Sequence, residues 1–113
     1  AIGGQFQLTD HTGQERTSES FHGQYTLVYF GYTFCPDVCP TGLQVMTLAI
    51  NQLDDETQDK ITPLFITVDP ERDTVKQLRS YVSNFHSRLI GLTGAADQIA
   101  KAAQAFRVFY SRS

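Results

Sequence analysis

Residues Tyr25-Thr26-Leu27-Val28-Tyr29-Phe30-Gly31-Tyr32 form a nearly unbroken run of β-branched, aromatic and apolar side chains. The run has no polar face to offer to water. It predicts a central strand covered on both sides. Such a strand needs helices above and below it, which points to an α/β layer fold. Gly31 falls where the strand must open into a tight loop.

The remaining elements follow from periodicity and punctuation. Leu43, Met46, Ile50 and Leu53 recur at steps of three and four residues, so a helix is expected from about Pro40 to Leu53. Pro40 suits the first helical position, where its missing N–H has no partner anyway. Asp54-Asp55-Glu56 is expected to end that helix in solvent. Ile61 to Val68 reads as the next strand, stopped at Asp69-Pro70. Asp73 is the expected N-cap of a second helix, with Val75, Leu78, Val82 and Phe85 inward. Leu89 to Leu92 makes a third strand. Thr93-Gly94 then opens a third helix with Ile99, Ala103 and Phe106 inward, and Val108-Phe109-Tyr110 begins an extended segment. Ahead of all this, Phe6-Gln7-Leu8 and Glu15 to Ser18 flank a turn-rich stretch. They predict a small N-terminal β-hairpin with Thr12-Gly13 near its tip. Strands alternating with helices make a parallel sheet with right-handed connections. The 113 residues are expected to form one domain around one core.

Both cysteines, Cys35 and Cys39, lie in the loop after the first central strand and open the next helix. That is the thioredoxin-like arrangement. Residues four apart share one helix face, so two sulfurs at this junction can converge. Free N–H groups at a helix start favour thiolate over thiol. Two converging thiolates suit a soft ion, Cu(I) or Zn(II). The alternative is thiol–disulfide chemistry, with Cys35 attacking and Cys39 resolving. Three intervening residues, Pro36-Asp37-Val38, depart from the usual two of an exchange site, which favours metal. Two inert buried thiols would be the plainest reading, but a loop bounded by prolines is a poor place for them.

The other candidates are weighed against ordinary roles. His11, His22 and His86 each read first as solvated or capping side chains. His22 and His86 are the better in-chain candidates for a further ligand. Asp37 either tunes the site or is a solvated loop acid. Asp69 ends a parallel strand on the edge where ligand sites gather, or it builds only the Asp-Pro turn. Met46 belongs on the buried helix stripe rather than on copper. Tyr29, Tyr32 and Phe34 are expected to wall the cysteines or to fill the core. A thiol peroxidase reading of Thr33-x-Cys35 lacks an evident arginine beside the thiolate.

Composition sets outer limits. The chain is 41% apolar and 19% charged with a net charge of -3 and no basic run, which argues against nucleic acid as a main partner. No apolar run is long enough to span a bilayer. The chain opens at Ala1-Ile2-Gly3-Gly4 with no signal peptide, so membrane attachment is expected only through an anchor outside it.

The stretch Phe30-Gly31-Tyr32-Thr33-Phe34-Cys35-Pro36-Asp37-Val38-Cys39-Pro40 resembles the signature of the Sco/SenC family, the copper chaperones of cytochrome c oxidase assembly. Val68-Asp69-Pro70-Glu71-Arg72-Asp73-Thr74, Phe85-His86, Ile90-Gly91-Leu92-Thr93-Gly94 and Phe106-Arg107-Val108-Phe109-Tyr110-Ser111 extend the resemblance over the whole chain. It implies a thioredoxin-like fold with an N-terminal β-hairpin, and copper, as Cu(I) or Cu(II), held by Cys35 and Cys39. It also implies delivery of copper to the dinuclear centre of oxidase subunit II or another acceptor, or reduction of that centre's thiols. A thiol–disulfide reductant is then a second partner. The role is mainly that of a metallochaperone, and any reductase activity rests on the same two cysteines. The compartment implied is the periplasmic face of the bacterial inner membrane, or alternatively the mitochondrial intermembrane space. The family's third ligand is a histidine that would lie beyond Ser113, with the last strands and helix of the fold. None of His11, His22 or His86 matches its position. A domain without those strands is expected to expose one edge of its sheet.

Overall fold

The computed structural model describes residues 5–34 and 38–106, excluding the side chains of Val38 and Cys39. In chain order the elements are β1 (Gln7–Asp10), β2 (Glu15–Thr17), a 3-10 turn (Ser18–Phe21), β3 (Tyr25–Gly31), α1 (Val38–Asn51), α2 (Asp55–Gln58), β4 (Ile61–Thr67), α3 (Val75–Val82), β5 (Ile90–Thr93) and α4 (Ala96–Ala105). They build one sheet in the order β2-β1-β5-β4-β3. The strands β3, β4 and β5 run parallel, and the hairpin β1-β2 joins antiparallel through β1 to β5. The extended segment expected at Val108-Phe109-Tyr110 lies outside the described residues.

Side-chain alternation along β4 divides the core into two layers. Leu64 and Ile66 face a cluster with Leu8, Phe21, Leu92, Ile99 and Ala102, under α4 and the hairpin. Phe65 faces the opposite way, toward Leu43, Leu78 and Val82 under α1 and α3. Leu64, Phe65 and Ile66 are each fully buried. Two faces covered by helices are what a parallel sheet requires.

Three local expectations need correction. The central strand is β4. Among the described residues β3 pairs only with β4 and forms a sheet edge, with Tyr25 73% and Leu27 41% exposed. Apolar composition predicted the strand but could not say how many neighbours it has. The first helix starts at Val38, so Pro40 is its third residue; a first-turn N–H has no intrahelical partner there either. Leu53, expected on the buried stripe, is 38% exposed. Asp54, Asp55 and Glu56 are exposed beyond the end of this helix, as expected, and the Asp54 side chain in addition caps α2, accepting the Thr57 N–H at 2.7 Å.

Pro63 lies inside the central strand, where a missing N–H should break a ladder. The Val68 N–H reaches back to Gly31 O at 2.8 Å. Alternate residues of β4 point the same way, so the Pro63 nitrogen turns toward β5. Pairing with β5 begins only at Leu64, opposite Ile90. The proline therefore costs no hydrogen bond.

One contact sets α1 against β3, and a second set fixes the hairpin at the far side of the sheet. A Cβ on Gly42 of α1 would lie 2.5 Å from Cε2 of Tyr29 on β3, so only glycine lets this helix sit so close to the ring. In the hairpin, Gly13 takes φ 91° at the turn. The buried Asp10 accepts the Thr12 N–H at 2.8 Å, the Thr12 hydroxyl at 2.6 Å, the Gln14 N–H at 3.0 Å and Arg16 Nε–H at 2.8 Å. Burial alone would raise its pKa. The hydrogen bonds from Thr12, Arg16 and Gln14 outweigh burial and lower it to about 2.

Because the folded pKa lies below the unfolded one, the contribution of Asp10 is present above about pH 4 and is lost as pH falls toward 2. Denaturant titrations between pH 7 and 2 should show a loss of about 2 kcal/mol from this residue. Asp10→Asn should flatten that part of the pH dependence, and an unchanged slope would remove Asp10 as its source. Gly42→Ala should destabilise the fold by about 1–3 kcal/mol through overpacking. That outweighs the roughly 1 kcal/mol that alanine adds to a helix. A urea midpoint at or above that of the parent would contradict the Tyr29 contact.

Candidate metal and thiol site

Strands β3 and β4 end level with one another. Gly31 pairs with Thr67, so the connections that follow leave the sheet side by side at its carboxyl edge. One connection carries Tyr32, Thr33 and Phe34 into Cys35. The other runs from Val68 to Thr74. Cys39 is the second residue of α1, within the turn whose backbone N–H groups have no helical partner. Cys35, Pro36 and Asp37 lie outside the described residues, so the expectations for Cys35 and Asp37 are not tested by the structure.

Asp73 has a different part from the N-cap expected of it. Thr74 caps α3, its hydroxyl accepting the Gln77 N–H at 3.2 Å. The Asp73 carboxylate is fully buried. It accepts the Thr33 N–H at 2.9 Å, the Thr33 hydroxyl at 2.6 Å and the Thr67 hydroxyl at 2.6 Å. The Thr33 oxygen in turn accepts Gln77 Nε2–H at 3.0 Å, and the Thr67 oxygen accepts the Asp69 N–H at 2.9 Å. A buried carboxylate is costly unless it is well supplied with donors. Two strand ends supply these.

Asp69 is at the carboxyl edge, as expected, and is buried. It does more than build a turn. Its carboxylate pairs with Arg72 Nε, and its carbonyl accepts the N–H groups of Arg72 at 3.2 Å and Asp73 at 2.9 Å. The Arg72 guanidinium carbon stands 4.6 Å from the centroid of the Phe34 ring, within cation–π range. The sequence showed no arginine near Cys35; the turn Asp69–Asp73 puts one against its neighbour. Phe34 is 51% exposed, so it is not part of a dry wall. Tyr32 is half-buried. Tyr29 stacks on Phe65 and belongs to the core, as does Met46. A cleft of about 420 Å³ opens on the same edge, lined by Val68, Pro70, Glu71, Gly94, Ala95, Ala96 and Ile99.

The histidines lie elsewhere. His22 is exposed and precedes β3, at the opposite, amino edge of the sheet. His86 precedes β5 at that same edge and is buried. Its Nδ1 accepts the Arg88 N–H at 3.1 Å, which leaves the proton on Nε2 to donate to Gln58 Oε1 at 3.3 Å. Burial first, and the nearby Arg88 charge second, hold its pKa below the ordinary range. His11 Nδ1 accepts the Gly91 N–H at 3.1 Å and ties the hairpin to β5. The solvated or capping roles expected first for the histidines hold: His22 is exposed, and His86 and His11 are engaged by backbone N–H groups, while strand direction puts His22 and His86, the better in-chain candidates for a ligand, on the amino edge. Among the described residues no group of three or more His, Cys, Asp or Glu could hold a metal ion. No described helix is long and apolar enough to cross a membrane.

The helix that begins at the carboxyl edge carries Cys39 as its second residue. The residues just before Cys35 are fastened from the neighbouring connection. Comparison with known proteins follows this pattern. The family described as SCO1/SenC matches residues 1–113. The bovine protein "SCO2 homolog, mitochondrial" is 50% identical over 113 residues, covering 98% of this chain and 42% of that protein. The solved Arabidopsis thaliana ScoI with copper bound is 44% identical with a TM-score of 0.89, covering 98% of this chain and 71% of that one. The solved BsSco, described as a member of the Sco family of cytochrome c oxidase assembly proteins and as having a disulfide switch, is 26% identical with a TM-score of 0.80, covering 98% of this chain and 67% of that one. This chain thus spans less than half the length of the bovine relative, while its thioredoxin-like α/β fold matches the solved Sco proteins, and it belongs to the SCO1/SenC family.

Proposed function

We propose that this chain binds copper through Cys35 and Cys39 and serves in the assembly of cytochrome c oxidase, passing copper to the dinuclear centre of subunit II. The carrying observation is the position of Cys39 at the start of α1, beside the carboxyl edge, in a chain 44% identical to a Sco protein solved with copper bound. Thiolates are soft donors that favour Cu(I), and the free N–H groups of the first turn favour the thiolate form. Copper here is cargo: it must be held firmly enough to be carried and released to an acceptor. The family resemblance implies a histidine beyond Ser113 as the third ligand, while His11, His22 and His86 are engaged or placed away from this edge. Asp37 and Asp69 act around the site rather than on the metal. Asp69 does so through Arg72.

The second reading is thiol–disulfide exchange, favoured by the disulfide switch described for BsSco. The Cys35 thiolate attacks a partner disulfide and releases one partner thiolate. Cys39 then attacks the mixed disulfide, leaving a Cys35–Cys39 disulfide and a reduced partner. A separate reductant restores the dithiol. The two readings are compatible, since thiols must be reduced before they accept Cu(I). The name of the bovine relative supports the mitochondrial intermembrane space as the compartment. The bacterial periplasm rests on the family resemblance, with the Thr33-Phe34-Cys35 context and the Thr41-Gly42-Leu43-Gln44-Val45-Met46 stretch. An anchor outside this chain would hold the protein at the membrane.

Anaerobic titration of the reduced protein with Cu(I), against a chromophoric chelator, should give one bound equivalent. Cys35→Ser and Cys39→Ser should each abolish it at chelator concentrations the parent withstands. His22→Ala should leave the stoichiometry unchanged. Retention of parental binding by either serine variant would overturn the copper assignment.

A further inference from the structure

We propose that the connection between β4 and α3 is a two-point clamp on the residues entering Cys35, with Asp73 and Arg72 as positioning residues for the site; this rests on the copper and thiol reading above. The inner point is Asp73. A buried carboxylate at a helix start would ordinarily serve that helix, but here Thr74 does so. Asp73 instead holds both the backbone and the side chain of Thr33, 40 residues away in the chain and two residues before Cys35. Gln77 of α3 fixes the direction of the Thr33 hydroxyl by donating to it, so the hydroxyl proton is committed to Asp73. Thr67 binds the same carboxylate and locks it to the end of β4.

The outer point is Arg72. The single turn from Asp69 to Asp73 sends Asp73 inward and Arg72 outward. Asp69 holds the guanidinium, and the guanidinium covers the Phe34 ring. Consecutive residues of one connection thus grip consecutive residues of the other. Only Phe34 separates Thr33 from Cys35 in the chain, so the clamp holds the backbone that enters the cysteine loop. Copper bound by two sulfurs and a Cys35–Cys39 disulfide both need a narrow range of separations, about 4.4–6.8 Å between Cα atoms for the disulfide. The clamp therefore acts on metal affinity and thiol reactivity at once. It explains why a carboxylate is buried at this edge and why an arginine lies against an exposed phenylalanine.

The test uses Thr33→Val, Asp73→Asn, Arg72→Ala and Phe34→Ala. Cu(I) affinity is read by chelator competition, and the alkylation rates of Cys35 and Cys39 in the metal-free dithiol are read against pH by peptide mass. Thr33→Val and Asp73→Asn should each weaken Cu(I) by about tenfold or more, in the range of changes to groups that orient metal ligands. They should also displace the pH midpoint of Cys35 alkylation. Because they remove the same contact, the double variant should be little worse than either alone. Arg72 and Phe34 are exposed enough that their variants should keep the parental melting temperature and lose affinity by a few-fold. If all four keep parental affinity and alkylation profiles, whatever their melting temperatures, the clamp is only structural and the proposal fails. If the parent binds no Cu(I), the copper reading fails instead, and the alkylation profiles still decide the clamp.

Discussion

The carboxylate of Asp73 accepts hydrogen bonds from residues at two strand ends, and the arrangement of the carboxyl edge depends on it. Thr33 follows β3 and Thr67 ends β4. Both hydroxyls point their protons at one buried group. A charge in such a place is tolerated only while its donors stay in position. The cost of displacing either threonine therefore holds the two connections in register. That is a stiffer fastening than a loop has from its own turn residues. It lies next to the one part of this chain with soft, nucleophilic side chains.

The layers of the fold serve that edge. β4 alternates Leu64 and Ile66 against Phe65, and so it anchors α4 on one side and α1 with α3 on the other. Gly42 lets α1 lie against Tyr29 of β3, which sets the helix start that carries Cys39. α3 packs against β5 where a Cβ on Gly91 would meet Val82 at 3.1 Å. Its start is thereby fixed relative to β4, and with it the turn that presents Asp73 and Arg72. Hairpin and histidines belong to the rest of the molecule. Asp10 organises the hairpin, His11 ties it to β5, and His86 steadies the amino edge.

Most of the fold was legible in the residues because periodicity reports burial directly. The stripe Leu78–Val82, the strand β4 and the Thr12-Gly13 turn all appear where their patterns place them. Strand order was not legible for β3. An apolar run says that a strand is shielded, not how many partners it has. The cysteine pair announced the site by its chemistry, but its support was hidden. Asp73-Thr74 offers two adjacent capping residues, and local rules chose the first. The tertiary donors Thr33 and Thr67 claimed Asp73 and left Thr74 to cap. Threonines at the ends of two neighbouring strands, facing an aspartate after the second, are the signal that could have revealed it. The meeting of Arg72 with Phe34 leaves no periodic trace at all. The histidines are solvated or structural, as residue type alone suggests, and only strand direction rules out His22 and His86 for the carboxyl edge.

Copper K-edge absorption of the Cu(I)-loaded, reduced protein tests the central claim most directly, since it counts sulfur around the metal without relying on activity. Two sulfur scatterers are predicted for the parent, and one or none for Cys39→Ser. A copper environment made only of nitrogen and oxygen in the parent, or one that Cys39→Ser leaves unchanged, would contradict the claim.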